Sequence, residues 1–209
     1  MSAFALINTN RWNRIRYTFY APGYDMAARI FSKSRNKSIR TLGINPKDEV
    51  LIVGAGTGLD LEFIHEDCHI TATDITPAMI ERTLKKNIQY KRNLTAQVMD
   101  GQQLNFQDQS VDKIILHLIL AVIPDPIACI KECERVLKPG GSITVFDKFV
   151  PRGRAISFLR RMFNPLANFF FTNITRRIED IVAQTNLVIE SDDPVDFNGN
   201  FRIIRLRKY

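Results

Sequence analysis

A four-residue apolar run followed by three alternating glycines, Val50-Leu-Ile-Val-Gly-Ala-Gly-Thr-Gly58, limits this chain to few architectures. An uninterrupted Val50–Val53 suits a strand covered on both faces, as in a parallel sheet. Gly54, Gly56 and Gly58 tolerate positive φ and let a ligand approach the backbone closely. Leu59-Asp-Leu-Glu-Phe-Ile64 then opens a helical pattern whose first N–H groups lack partners. Strand, glycine turn and helix in this order make a nucleotide site. The spacing is G-x-G-x-G, since Leu59 stands where the dinucleotide motif has its last glycine. Such a turn alone is also an ordinary tight connection, so other positions must decide.

Downstream, strand and helix signals alternate. His69–Thr73, Leu94–Met99, Val111–Leu116 and Ser142–Phe146 read as strands. Helices are predicted from Thr76-Pro77 to Tyr90 and over Ile127–Leu137, with a turn at Pro139-Gly-Gly141. Leu187–Glu190 and Phe201–Leu206 close the sheet as an antiparallel pair. The class is α/β, a mostly parallel sheet with helices on both faces. Upstream, Asn8–Tyr24 is a basic, aromatic helix with Trp12, Ile15 and Phe19 on one stripe, broken at Pro22-Gly23. A second helix starts at Tyr24 and ends at Ile39 or Leu42. Arg154–Asn164 projects as an amphipathic helix with Ala155, Ile156, Phe158, Leu159, Met162 and Phe163 on one side; Pro165 interrupts it before Phe169-Phe-Phe171. The chain thus divides into a helical cap at 1–47 and a ligand-binding domain at 48–209, with a basic, aromatic insertion at 150–178.

The formal net charge of +7 is unevenly spread. Residues 1–48 carry nine Lys/Arg against Asp25 and Asp48, and 148–178 carry seven against none, whereas 49–147 carry nine against fourteen acids. Positive charge therefore lies outside the nucleotide unit, in segments that are also aromatic, which points to a membrane surface or nucleic acid. No apolar run approaches the ~20 residues that span a bilayer, and no signal-peptide pattern opens the chain. Cys68, Cys129 and Cys133 show no disulfide spacing, so a reducing, cytoplasmic location is expected. Cys129 and Cys133 have no histidine at ligand spacing and read as core residues, so no metal is expected.

Ligands of open α/β sheets bind at the carboxyl ends of the strands, here Gly54–Gly58, Asp74, Asp100 and His117. Asp74, after the second strand, is placed to accept both hydroxyls of a ribose. Asp100, with Gly101 beside it, is placed to accept from an exocyclic adenine amine, a carboxylate being an acceptor only. Ile75, Met79 and Gln102 would sandwich or edge the base. Any one strand-end aspartate is commonly a turn or cap residue; the three positions together specify adenosine.

Over about residues 48–147 the chain resembles the class I S-adenosylmethionine-dependent methyltransferases. The resemblance rests on the loop Gly54-Ala55-Gly56-Thr57-Gly58 and on Asp74-Ile-Thr-Pro-Ala-Met79, Met99-Asp-Gly-Gln-Gln-Leu104, Asp108-Gln-Ser-Val-Asp112 and Arg135-Val-Leu-Lys-Pro-Gly-Gly141. It implies a Rossmann-like, seven-stranded sheet, S-adenosylmethionine as methyl donor and S-adenosylhomocysteine as product. The family commonly has an acid two residues before the first glycine, where this chain has Ile52. Contacts to the methionine moiety would then fall to Tyr17, Tyr20 or the His117 region, with Tyr24 nearby. A narrower resemblance, to soluble bacterial phosphatidylethanolamine N-methyltransferases, rests on Tyr24-Asp25, His117-Leu-Ile-Leu-Ala-Val-Ile-Pro-Asp125, Asp147-Lys-Phe149, Thr175-Arg-Arg-Ile-Glu-Asp180 and Arg202–Arg207.

An arginine- and phenylalanine-rich amphipathic helix can lie in a membrane interface, each cation near an anionic surface adding about 1 kcal/mol. The same residues could equally pack on the domain with their arginines in water. The resulting expectation is N-methylation of an ethanolamine headgroup, by an enzyme peripheral on the inner membrane face. His117 and Asp147 are the candidate bases, and Tyr17, Tyr20 and Tyr24 would close over the methyl group. His117 is also readable as a core or capping histidine. The alternative acceptor is a small molecule such as a quinone precursor. A nucleic-acid acceptor is disfavoured, because the fourth strand ends in His117-Leu-Ile-Leu120 and not in an Asn/Asp-Pro-Pro-aromatic motif.

Overall fold

The computed structural model describes residues 8–65, 67–156, 158–170 and 172–209. Ser157 and Phe171 of the predicted amphipathic segment lie outside the described residues, as do residues 1–7 of the cap and the side chains of Leu159, Arg160 and Phe170. Seven strands, β1 (Glu49–Val53), β2 (His69–Asp74), β3 (Asn93–Val98), β4 (Val111–His117), β5 (Leu137–Lys148), β6 (Val188–Pro194) and β7 (Phe201–Arg207), form one sheet in the order β3-β2-β1-β4-β5-β7-β6. All neighbours are parallel except β7, which runs antiparallel to both β5 and β6. This is the mostly parallel sheet the alternating signals predict, in the Rossmann-like, seven-stranded form the family resemblance implies.

Alternation along the central strands divides the core between the two faces. Leu51 and Val53 join Ile114, Leu116, Ile143 and Val145 on the face covered by α4 (Pro126–Val136) and α6 (Ile178–Val182). Val50 and Ile52 join Ile39, Leu42, Leu61 and Ile115 on the other, beneath α2 (Ser32–Thr41). Cys129 and Cys133 are fully buried in the first cluster, as small core residues. Ile52 is 1% exposed among aliphatic side chains, so the position where the family commonly has an acid is here a dry core site.

Several boundaries differ from the sequence reading. The first helix, α1 (Asn10–Ala28), continues through Pro22-Gly23, and the break is a 3-10 turn at Arg29–Phe31. Pro22 sits on the solvent side, where water can serve the carbonyl its ring leaves unbonded. The turn instead directs Phe31 onto Phe146 and Phe201, with ring centroids 5.7 and 4.8 Å away. Pro165 likewise lies inside α5 (Phe158–Phe170) and does not end it. The helix predicted from Leu59 is a five-residue 3-10 stretch. Pro139-Gly-Gly141 lies within β5, as an irregularity between the pairs Val111–Leu137 and Lys113–Ser142. There Gly140 takes φ of 77° and donates to the Lys208 carbonyl beyond β7.

α1 is inverted relative to an ordinary amphipathic helix. Its buried residues are Asn13, Arg16, Ala21 and Ala28, while Ile15, Phe19 and Met26 are exposed. Among the described residues no helix is long and apolar enough to cross a membrane.

Restoring the missing acid by Ile52→Asp should therefore destabilise the fold by on the order of 3–5 kcal/mol, the cost of an uncompensated buried carboxylate. Urea unfolding midpoints of the two proteins check this.

Candidate active site

The glycine turn begins where β1 leaves the sheet. The amides of Gly54 and Ala55 both donate to the Thr73 carbonyl, at 2.8 and 2.9 Å, which binds the turn to the end of β2. Gly54 has φ of 74°, and a Cβ there would fall 2.8 Å from the Ile119 side chain. Loop 118–125 after β4 thus closes directly on the turn. Gly56 also has positive φ and faces the Tyr24 ring.

Asp74, at the end of β2, accepts from the Gly56 amide at 2.9 Å with one oxygen and from the Thr76 amide at 2.8 Å with the other. Burial raises its pKa above the usual carboxylate value, and those two N–H groups only partly oppose the shift. Each oxygen keeps a lone pair for a hydroxyl from the cleft that Asp74 lines. Asp100, after β3, is positioned by the Gln102 amide at 2.9 Å and by the Gln102 side chain. Its other oxygen accepts from the Asn10 carboxamide on α1 and, at 3.1 Å, again from the Gln102 side chain, so an NH2 donor in the cleft would take the place of one of these amides. Gly101 is required by packing, since a Cβ would lie 2.6 Å from Val53. Ile75 and Met79, around the start of α3 (Pro77–Tyr90), complete the wall together with Tyr17 and Tyr24.

Ala55, Thr57, Gly58 and Gln102 shape the site without lining the cleft. Thr57 turns away, donating its hydroxyl to Asp25, which in turn binds Lys86 at 2.7 Å. Gly58, with φ of 79°, lies against the Thr83 backbone.

His117 is corrected as a candidate base. It is 4% exposed and both ring nitrogens are engaged, Nδ1 with Asp60 at 2.8 Å and Nε2 with Ser38 at 2.9 Å. A carboxylate only accepts, so Nδ1 carries the proton and Nε2 accepts from Ser38, whose oxygen is 2.7 Å from the Thr144 hydroxyl. Arg35 holds both oxygens of Asp60, at 2.8 and 2.9 Å. Burial would raise Asp60, but Arg35 and His117 together hold it far below the usual carboxylate range. Burial also lowers the His117 pKa, Asp60 opposing only in part, so the ring is neutral. No spacing signalled Arg35 and Asp60, which meet only in three dimensions.

Asp147 stands elsewhere, at the end of β5 beside a second cavity of about 520 Å³. It is buried, accepting from the Ala121 amide at 2.8 Å and the Lys148 amide at 2.7 Å. Burial pushes its pKa up to about 6 against those hydrogen bonds. Tyr17, Tyr20 and Tyr24 form one wall, with edge-to-face contacts of 5.9 and 6.4 Å around Tyr17. Burial raises the pKa of Tyr17 and Tyr24, which keeps both phenols neutral. The two cavities share Tyr17, Tyr24, Leu118 and Val122. The cleft that Asp74 and Asp100 line thus adjoins an apolar chamber across Tyr17, Tyr24, Leu118 and Val122, and the chamber holds one carboxylate of raised pKa.

Residues 51–145 match the family model of the methyltransferase domain. Over those residues the chain is a class I S-adenosylmethionine-dependent methyltransferase domain. It is similar to a phosphatidylethanolamine N-methyltransferase of Cereibacter sphaeroides, 24% identical over 76% of this chain and 79% of that protein. It is also similar to the ubiquinone/menaquinone biosynthesis C-methyltransferase UbiE of Geobacter sp. strain M21, 28% identical over 81% and 75% of the two chains. A methyltransferase of Haloferax volcanii, solved with the Trm112 methyltransferase activator, shares the fold at a TM-score of 0.76 and 15% identity, over 92% of this chain and 98% of that one.

The residues of this methyltransferase fit S-adenosylmethionine: the positive-φ glycines give backbone access, and Asp74 and Asp100 supply acceptors for ribose hydroxyls and an adenine amine. When bound, it supplies a methyl group on a sulfonium, an electrophile with a good leaving group. Asp74→Ala should weaken its binding at least tenfold by calorimetric titration, the loss of a charge-assisted hydrogen bond. His117→Ala should instead lower stability by about 1–3 kcal/mol, by leaving Asp60 and Ser38 short of a partner. If His117 is structural, the shape of the pH–rate profile stays unchanged in that variant.

Proposed function

We propose that this methyltransferase N-methylates the amine of a phospholipid headgroup, ethanolamine being the simplest, at an anionic membrane surface. The observation that carries the reading is Asp147, a buried carboxylate with pKa raised to about 6 in an apolar chamber adjoining the cofactor cleft. An amine must be free of its proton to attack carbon, and a carboxylate of raised pKa is the better acceptor for it. The two amides on Asp147 fix its direction, while Tyr17, Tyr20 and Tyr24 offer π faces to the ammonium product. Lys148, which also lines the chamber, supplies a cation one residue along for a phosphate. Chamber and tyrosine wall offer a mostly apolar surround to the acceptor, leaving positioning as the main task of the protein.

The exposed surface supports a lipid acceptor. Ile15, Phe19, Met26 and Ile30 project from α1 and the turn after it; Phe158, Met162, Phe163 and Leu166 project from α5. The two helices are clamped: Trp12 stacks on Phe169 at 4.7 Å, and Trp12 and Arg16 donate to carbonyls at the end of α5. Phe19 also lines the acceptor chamber, so its mouth lies beside this apolar surface. Arg11, Arg14, Arg29, Arg154 and Arg161 add exposed positive charge in the same stretches of chain.

The aromatic walls of the chamber, Phe31 and Phe201 among them, favour a second reading, a small ring acceptor such as a quinone precursor. Methyl transfer to vesicles containing phosphatidylethanolamine separates the two. The lipid reading expects turnover that rises with anionic lipid and falls with salt; turnover on soluble acceptors alone would sink it. Asp147→Asn should cost about 10²–10⁴-fold in kcat/KM, the usual worth of a general base. In the parent enzyme, activity should be present above pH 6 and fall as Asp147 takes up a proton below it.

A further inference from the structure

A third cavity, of about 400 Å³, opens between the α1–α2 junction, the 3-10 stretch after Gly58 and α3. It shares no lining residue with the cofactor cleft and only Ala28 with the acceptor chamber. Its walls are strongly cationic. Arg29, Arg35, Arg82, Lys85 and Lys86 line it, against two acids, Asp25 and Glu62.

These cations are not equivalent. Lys86 is neutralised by Asp25 at 2.7 Å, and Arg35 by Asp60 at 2.8 Å. Arg29, Arg82 and Lys85 make no ion pair among the described residues, though they converge on one groove from two elements. Like charges held together repel one another, so the arrangement costs stability unless an anion relieves it.

Scattered surface lysines would be adequately explained by water, but Arg35 would not. It is 4% exposed and lines the cavity, and its Nη1 is spent on Asp60, yet the buried Nε has no hydrogen-bond partner. A buried guanidinium N–H without an acceptor is rare enough to require an explanation. Arg35 lines the groove, and an oxyanion seated against its guanidinium, once the side chains that now cover Nε shift, would give it one.

We propose that this groove is a binding site for a phosphate-type oxyanion. Several acceptor oxygens on one centre match donors converging from different directions, and guanidinium groups suit that geometry. The ligand is a free phosphate or the phosphate of a lipid headgroup. Exposed Met26 and Ile30, on either side of Arg29 in sequence, place apolar surface near the groove, as a headgroup would require. The site rests on its own observations and stands or falls apart from the methyl acceptor.

The test compares the full chain with two doubly substituted variants of equal charge. Arg82→Gln/Lys85→Gln removes cations from the groove; Arg40→Gln/Lys131→Gln removes exposed cations elsewhere. Inorganic phosphate at about ten times its dissociation constant, against chloride at matched ionic strength, should raise Tm by about 3–6 °C. The rise should persist in the Arg40/Lys131 variant and vanish in the Arg82/Lys85 variant. A parallel arm measures co-sedimentation with vesicles of phosphatidic acid in phosphatidylcholine. Discrimination between the variants by free phosphate alone supports a free anion as ligand, and discrimination by vesicles supports a headgroup. If both variants behave alike in both arms, or chloride reproduces the phosphate effect, the site is refuted.

Discussion

Beneath the glycine turn, Arg35 of α2 grips Asp60 with both carboxylate oxygens engaged, and Asp60 in turn orients His117 at the end of β4. Ser38 and Thr144 extend the chain of hydrogen bonds to β5. Four separate segments meet in this network: the helical cap, the segment after the turn and the two strands leading to the active site. Such a pair is expensive to bury and costs several kcal/mol to break, because one charge would remain uncompensated. Its contribution is to fix where the cap docks and which way the turn points. The neighbouring core, with Ile52, Leu42 and Leu61, is then free to be wholly aliphatic. The acid usual in this family two residues before the first glycine is absent, and the buried carboxylate near the turn is Asp60, approached from the other side.

A second linkage runs through α1. Asn10 reaches Asp100, Arg14 reaches the Ile75 carbonyl, and Arg16 and Trp12 hold the end of α5. Thr172 and Asn173, just past α5, bond the Ala121 backbone, and Arg176 bonds Leu120 and Pro124. The cofactor cleft, the loop after β4 and the exposed helix α5 are therefore one mechanical unit. Of the buried polar side chains of α1, Arg16 serves two of these carbonyls and Asn13 bonds Asn8, while Ile15, Phe19 and Met26 face outward. That inversion is unfavourable for a helix surrounded by water, and it is the feature that a membrane surface would explain.

Legibility followed sequence distance. Gly54, Gly56, Asp74 and Asp100 were readable because each sits at a strand end, and in a parallel sheet those ends converge whatever the side chains do elsewhere. Asp147 was readable for the same reason. His117 also lines the cleft, but its ring turns into the domain, toward partners on α2 and after the turn that no local pattern could name. Pro22 and Pro165 were read as helix ends, yet helices pass through both, Pro22 being exposed and Pro165 half-buried. Thr57 lies in the glycine motif but bonds Asp25 of the cap.

The sequence by itself determined the mostly parallel sheet and the strand-end places of Asp74 and Asp100, because period, turn chemistry and strand-end position are local properties; the methyl donor followed from the family that the chain resembles. Only the tertiary structure decided which charges are spent inside, which face of α1 meets solvent, and that Asp147 rather than His117 adjoins the acceptor chamber. Those outcomes depend on desolvation and on pairing between distant segments. Burial turns Arg35 from a surface cation into a structural clamp, and lifts Asp147 from an ordinary carboxylate into a group that titrates near pH 6.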